Sequence, residues 1–466
     1  MTDSLLLLIA HSRVVRLLVG LVISLVLLGL DLGRRAPLAP LAQAVWPAAD
    51  AKQTSASLVL IGQGNIPMPA QTPAAHASSL LAMPSTHPAS VMAFWFAGTR
   101  ESAPDVQIAA SQFDRVTQQW RPARFVVNRH ALGGQLGFGV RRLGNPVAWL
   151  DQQGQIHLFV VATGFGGWAA SRVVHLRQAS ASHDFDALTF DIERVLPLSW
   201  LWNTSFLVRS APLALSDGGM VLPVHFELGF KYPVSLRFDA RGNFKGMARI
   251  SQRLHLLQPT LLMQSESHWL ALLRDHSDAG KVAIAQTHNG GQSWNDLPDL
   301  ALDNPDASIA GLALAPGQMV LAHNSSFHSR NDLDLSISSD GKSWVKSKAL
   351  AHGAGGDEYS YPAMIWAEGE LWVSYTDQRK SIAWQRFAGA AKSQYCPQLY
   401  EYQRIDSPAS FNRESSFTRT HLDADRFACR VGIGIGCERL LGGRATAPGL
   451  SAGFEYACRA LGLMAG

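Results

Sequence analysis

Between about residues 57 and 387 the chain alternates short apolar runs with clusters of turn residues. Ile156-His-Leu-Phe-Val-Val-Ala162, Met220-Val-Leu-Pro-Val224 and Leu371-Trp-Val-Ser-Tyr375 are each of strand length. Turn signals such as Gln153-Gly154 and Asp217-Gly218-Gly219 stand before them. No long stretch here keeps a 3.6-residue apolar period, so the pattern predicts an all-β domain. The N-terminus differs. Arg13 and Arg16 precede an uncharged apolar run at 17–30, which predicts a signal peptide or an uncleaved membrane anchor within residues 1–35. A small-x-small site, Ala42-Gln43-Ala44, lies well beyond that run, so both options stay open. Either one predicts an extracytoplasmic protein, periplasmic or secreted, with residues 13–32 as its possible contact with the membrane. Residues 36–56, rich in Ala and Pro, read as a linker.

Two segments of the β region share a motif. Thr287-His-Asn-Gly-Gly-Gln-Ser-Trp294 and Ser338-Ser-Asp-Gly-Lys-Ser-Trp344 place their tryptophans 50 residues apart, the length of one four-stranded propeller blade. The motif has the physics of a hairpin turn. An Asp or Asn side chain satisfies turn amides, Gly takes the positive φ, and Trp packs into the neighbouring hairpin. Asp114 and Trp120 are a candidate third, degenerate copy. These segments resemble the Asp-boxes of sialidases (neuraminidases) and related BNR-repeat propellers. The resemblance implies a sialidase-like six-bladed β-propeller over 57–390, and roughly 330 residues at about 50 per blade agree with it. Asp-boxes are peripheral and structural, so they carry the fold and not the chemistry.

The resemblance also implies a site. Sialidases hold a sugar carboxylate with three arginines, use an Asp as acid/base, and attack with a Tyr activated by a Glu. Ala93-Phe-Trp-Phe-Ala-Gly-Thr-Arg-Glu-Ser-Ala-Pro-Asp105 resembles the family's strand and loop with an Arg and the acid/base, here Arg100 and Asp105. Glu358-Tyr-Ser-Tyr361 resembles the nucleophile strand, with Tyr361 as nucleophile, Glu358 as a candidate partner, and Arg379 beyond the next strand. Arg274 and Arg330 match the second and third clamp arginines in order and spacing.

Two positions depart from the family pattern. His76 stands where the first arginine is expected, and Gln258 stands where the activating Glu is expected. A Gln cannot take a proton, which leaves Glu227 and Glu358 as candidate partners of Tyr361. Leu143-Gly-Asn-Pro-Val-Ala148 and Arg209-Ser-Ala-Pro-Leu213 also resemble the family without evident chemistry. His225 is either a ligand for a substrate hydroxyl or a satisfied core histidine.

Composition narrows the picture further. Lys and Arg number 40 against 36 Asp and Glu, a net +4 with no block of like charge, which argues against nucleic acid as a partner. All four cysteines (Cys396, Cys429, Cys437, Cys458) fall in a C-terminal extension, 391–466, that lacks the strand texture. In an exported protein they allow two disulfides in three pairings. Without CxxC spacing they predict no zinc site. Gly432-Ile-Gly-Ile-Gly436 has no following Lys-Ser/Thr, so no phosphate loop or cofactor is expected.

The leading expectation is an exo-acting glycoside hydrolase that cleaves a terminal acidic sugar from a glycan. Arg100, Arg274, Arg330, Arg379, His76 and Gln258 would line its substrate site. Two alternatives remain: a non-catalytic glycan-binding propeller, or a polysaccharide lyase on uronates in which Tyr361 and His76 transfer protons.

Overall fold

Six antiparallel sheets follow one another along the chain, at 74–127, 142–195, 206–249, 256–297, 310–352 and 359–389. The computed structural model describes residues 13–34, 43–47, 58–199 and 202–389. The expectations for the extension at 391–466, its cysteines included, lie outside these residues. Arg13–Arg34 is a helix. Among the described residues no helix is long and apolar enough to cross a membrane.

The sheets are the blades of a six-bladed propeller, taken here as blades 1 to 6 in chain order. In blades 1, 2, 4 and 5 the four strands pair in sequence order. Blade 6 has only three strands of its own, and Leu58–Asn65 pairs with its last strand, Ser381–Gly389, as the fourth. The N-terminal end of the β region thus closes the ring on the C-terminal end. Blade 3 carries its inner strand in two pieces, Phe206–Val208 and Leu213–Ala214, both paired with Met220–Leu228.

The core lies between blades, which is why the strands read as near-continuous apolar runs. Phe94 and Leu158 meet between blades 1 and 2, and Phe159 and Phe238 between blades 2 and 3. Trp269 and Met319 join blades 4 and 5, Leu335 and Phe387 join 5 and 6, and Trp95 and Trp372 join 6 and 1. Each such side chain, fully buried, contributes roughly 1.5–3 kcal/mol. Val221 and Leu261 share the core between blades 3 and 4, so every blade is held from both faces and the loops at its ends start from fixed points.

The two Asp-boxes form the turns between the third and fourth strands of blades 4 and 5. Asp340 Oδ1 accepts from the Lys342 and Ser343 amides at 2.8 and 2.7 Å, while Trp344 Nε1 donates to the Gly341 carbonyl at 3.0 Å. These bonds, led by the Ser343 amide, hold the Asp340 carboxyl down at about 2. Asn289 and Trp294 repeat the arrangement. The third copy is half of one. Asp114 accepts from the Val116 and Thr117 amides, but Trp120 packs on Phe113 and its N–H has no partner among the described residues. Asp239 makes the same turn in blade 3, bonded to the Arg241 and Asn243 amides, with no tryptophan after it.

The all-β expectation misses a 3-10 turn at Gly167–Ala170 and an α-helix at Arg129–Leu136 between blades 1 and 2. Asn128 caps it by accepting from the His130 and Ala131 amides, and Gly137 ends it at φ 71°. Eight residues with Gly133-Gly134 inside them leave almost no apolar period to detect.

Candidate active site

The site grows from one backbone device used in several blades. In the inner strands Ala74–Ala82, Arg142–Leu150, Leu256–Met263 and Tyr359–Ala367 the pairing skips: two residues oppose one on the next strand. The first residue of each bulge takes a positive φ: Ala77 at 54°, Asn145 at 41°, Gln258 at 46° and Tyr361 at 53°. Asp306, just before the inner strand of blade 5, does the same at 50°. In three of these bulges the second residue is proline (Pro146, Pro259, Pro362), which has no N–H to leave out of the ladder. In blade 3 the interruption is wider and comprises Arg209-Ser-Ala-Pro212.

Two bulge residues, Gln258 and Tyr361, meet Asp306 around one guanidinium. Arg274, at the end of Trp269–Asp275, donates from Nε to Asp306 Oδ1 at 2.5 Å. Its Nη1 faces Gln258 Oε1 at 3.3 Å and the Tyr361 hydroxyl at 3.5 Å. Tyr361 also shares a hydrogen bond with Gln258. Its ring lies 4.2 Å from that of His76, and the Arg209 guanidinium stands 5.2 Å from its centroid. Burial by itself would raise the Tyr361 hydroxyl. The charges of Arg274 and Arg330, the Gln258 bond and the charge of Arg209 together bring it below the usual tyrosine value.

The arginines are balanced by carboxylates. Arg330 faces Glu358 at 3.4 Å and donates to the Asp306 carbonyl at 2.7 Å. Arg379 binds Glu358 through Nε at 2.6 Å and Nη2 at 3.1 Å, and pairs with Glu101 through Nη1. Asp306 also takes His276 at 2.8 Å, and Arg274 and His276 hold its carboxyl below the usual range against the effect of burial. His76 is buried, and neither ring nitrogen has a partner among the described residues. Burial, then Arg379, Arg209 and Arg330, keep it well below the usual histidine value and therefore neutral.

The residues anticipated from sequence thus fall into two groups. Tyr361, Gln258, Arg274, Arg330 and His76 converge, and Glu358 and Arg379 lie beside them as an ion pair. Glu227 feels Arg274 and stands 3.5 Å from the buried His225; burial opposes, but that histidine and Arg274 lower its carboxyl. Neither Glu227 nor Glu358 makes a hydrogen bond to the Tyr361 hydroxyl. Asp105 is exposed and turned onto its own loop, accepting from the Thr99 amide and hydroxyl at 2.9 Å each. Arg100 is exposed and shares a small cavity with His76, Phe96, Glu101 and Arg379. Asp306, Glu101 and the role of Arg209 were not anticipated. The repeated signal in the sequence, a proline inside an apolar inner strand, marks the bulges at Asn145, Gln258 and Tyr361 and none of these three residues.

Loops between second and third strands carry Arg100, Asp105, Arg330 and Arg379, and connections between blades carry Asp306 and Glu358. In an antiparallel blade these share one rim, opposite the Asp-box turns. The same rim has a cleft of about 470 Å³ lined by Phe165, Ala169, Arg172, Trp202 and Asn203, with Trp202 more than half exposed.

A six-bladed propeller with Asp-turns on one rim and an arginine-ringed tyrosine near the other is a propeller of the sialidase type. The chain belongs to the BNR repeat-like domain family, which matches residues 89–373. Among solved structures it is similar to a Hadza microbial sialidase, at 15% identity and TM-score 0.55 over 68% of this chain and 66% of that one. It is also similar to Trypanosoma rangeli sialidase (12%, 0.54, 74% of this chain and 60% of that one). A Dyadobacter fermentans protein of unknown function is matched over its whole length, at 11% identity and TM-score 0.55 over 72% of this chain. The chain therefore spans about two thirds or less of those two sialidases, and at these identities the likeness is one of fold. No curated protein matches it by sequence.

Proposed function

We propose that this propeller is an exo-acting glycoside hydrolase that releases a terminal acidic sugar from a glycan. The observation that carries this reading is Tyr361, held at a strained bulge with its hydroxyl against Arg274 and Gln258 and three guanidinium groups acting on it. A neutral tyrosine suits attack beside a substrate carboxylate, and neighbouring cations favour the phenolate it becomes. Arg274 uses Nε and Nη1 within the protein, which leaves Nη2 for the substrate carboxylate, with Arg330 beside it. Asp105 would protonate the leaving oxygen after turning from Thr99, and the Trp202 cleft would take the rest of the glycan. The N-terminal apolar run supports action outside the cytoplasm.

Tyr361→Phe and Asp105→Ala should each abolish release of the aryl group from an aryl sialoside, with unchanged circular dichroism. Full retention of turnover by either variant refutes the mechanism. The contact between His76 and Tyr361 favours a second reading, a lyase on uronates in which these two residues move protons. Its signature is an unsaturated product absorbing in the near ultraviolet, which hydrolysis does not give.

A further inference from the structure

Arg209 follows the short inner strand of blade 3 and reaches across the propeller axis. Its Nη1 donates to the Ser78 carbonyl at 3.1 Å and its Nη2 to the Pro362 carbonyl at 2.8 Å. Those carbonyls belong to the second residues of the bulges in blades 1 and 6, so one side chain ties three blades together. Arg209 is only 3% exposed, and among the described residues its bonds go to these two carbonyls and to no carboxylate. A buried cation without a counter-ion is costly. The anion-forming group that faces it is Tyr361, whose ring centroid lies 5.2 Å from the guanidinium carbon. Both Nη atoms are engaged within the protein and Nε, though unpartnered among the described residues, is buried, so Arg209 is a structural cation rather than an exposed clamp.

We propose that Arg209 is the positioning residue of Tyr361: it pins the Tyr361 bulge through the Pro362 carbonyl and stands as the buried counter-charge of the phenolate. The proposal rests on the reading of Tyr361 as nucleophile and explains how a phenol bonded to Gln258 rather than Glu is prepared. Arg274, Arg330 and His76 face Tyr361 from blades 4, 5 and 1. His76 is neutral, so the cations supply the stabilisation. Consistent with a shared charge, burial lowers the Arg209 guanidinium to about 10 while Tyr361 opposes that shift.

The test is the near-ultraviolet tyrosinate band followed against pH, with the Tyr361→Phe curve subtracted to isolate Tyr361. The expected midpoint in the wild type lies below the ordinary tyrosine value of about 10. In Arg209→Met it should rise by about one pH unit or more, and in Arg209→Lys, which keeps the charge, by less. An unchanged midpoint in Arg209→Met overturns the proposal, as does a wild-type Tyr361 that ionises at or above the ordinary value. If Arg209→Met does not fold, urea unfolding of the wild type against Tyr361→Phe decides instead. The wild type should gain stability over Tyr361→Phe as pH rises from the folded midpoint towards 10, because only the unfolded state still holds the proton there. A flat difference overturns the proposal. None of these measurements needs turnover, so an active Tyr361→Phe would refute the hydrolase reading and leave the titration to judge Arg209.

Discussion

Asp306→Asn tests whether the clamp is held in check by the protein's own carboxylate. Asn is the least disruptive replacement, because it tolerates the left-handed φ of 50° found at this position. The change removes one charge from a pair at 2.5 Å, with side chains 12% and 33% exposed for Arg274 and Asp306. Charged hydrogen bonds contribute about 1.5–3 kcal/mol and neutral ones about 0.5–1.5. Allowing for the exposure of Asp306, the variant should lose about 1 kcal/mol of stability. The gain is in binding. A substrate carboxylate about 5 Å from Asp306 is repelled by roughly 1–3 kcal/mol for effective dielectric constants between 80 and 20. Removing that repulsion should tighten an acidic sugar by about tenfold, equivalent to ~1.4 kcal/mol. Titration calorimetry with free N-acetylneuraminic acid and glucuronic acid reads the affinity, and urea unfolding reads the stability. The pH dependence supplies a second check. Asp306 has a depressed carboxyl, so its contribution is full above the unfolded value near about 3.9 and is lost as pH falls through the folded one. The stability gap between wild type and variant should therefore close in acid. A folded variant with unchanged or weaker affinity for both sugars would show that Asp306 does not compete for Arg274.

His76→Arg introduces the residue type that the resemblance to sialidases leads one to expect at 76, yet it should not create a clamp. A fourth guanidinium beside Arg209, Arg330 and Arg379 should cost roughly 1–3 kcal/mol in urea unfolding; undiminished stability with tighter acidic-sugar binding would contradict this. Trp202→Ala should raise KM for an oligosaccharide roughly fivefold, the equivalent of about 1 kcal/mol of lost stacking, with kcat and KM for an aryl monosaccharide unchanged. An equal effect on both substrates would remove the cleft from the site. Gly341→Ala should destabilise by roughly 2–4 kcal/mol, since the residue sits at φ 68° and a Cβ would lie 2.3 Å from Leu270 Cδ1 in the packed core. A loss under about 0.5 kcal/mol, well short of overpacking, would mean that Leu270 yields freely and the turn does not depend on glycine.

The propeller was legible because its signals are local. Asp340, Gly341 and Trp344 form a closed set of hydrogen bonds within one turn, and apolar runs such as 156–162 are buried strands from end to end. The Asp239 turn went unseen for the same reason: it lacks the tryptophan that makes the motif recognisable. Part of the site was legible through the order of Arg274, Arg330 and Tyr361. Asp306 and Arg209 were not, because their meaning comes from partners distant in sequence. Arg209 bonds Ser78 and Pro362, which stand 131 and 153 residues away from it. Nothing in Arg209-Ser-Ala-Pro212 announces that its guanidinium crosses the axis.

The repeated bulge explains how the fold can be firm where the chemistry departs from the family pattern. At these registers the first bulge residue lies outside the regular ladder, so its side chain contributes little to strand pairing. Holding a non-glycine residue at positive φ costs about 1–2 kcal/mol, a cost offset by the packing between blades. The backbone is thus fixed by the propeller, while the side chain is left to the axis: alanine in blade 1, asparagine in blade 2, glutamine in blade 4 and tyrosine in blade 6, with Asp306 at a similar φ ahead of the inner strand of blade 5. Exchanging Glu for Gln at 258 alters the electrostatics of Tyr361 without touching a ladder bond. On the proposed reading of Tyr361 as nucleophile, with Gln258 in place of a carboxylate, the charge acting on the phenol comes from cations of blades 3, 4 and 5, namely Arg209, Arg274 and Arg330.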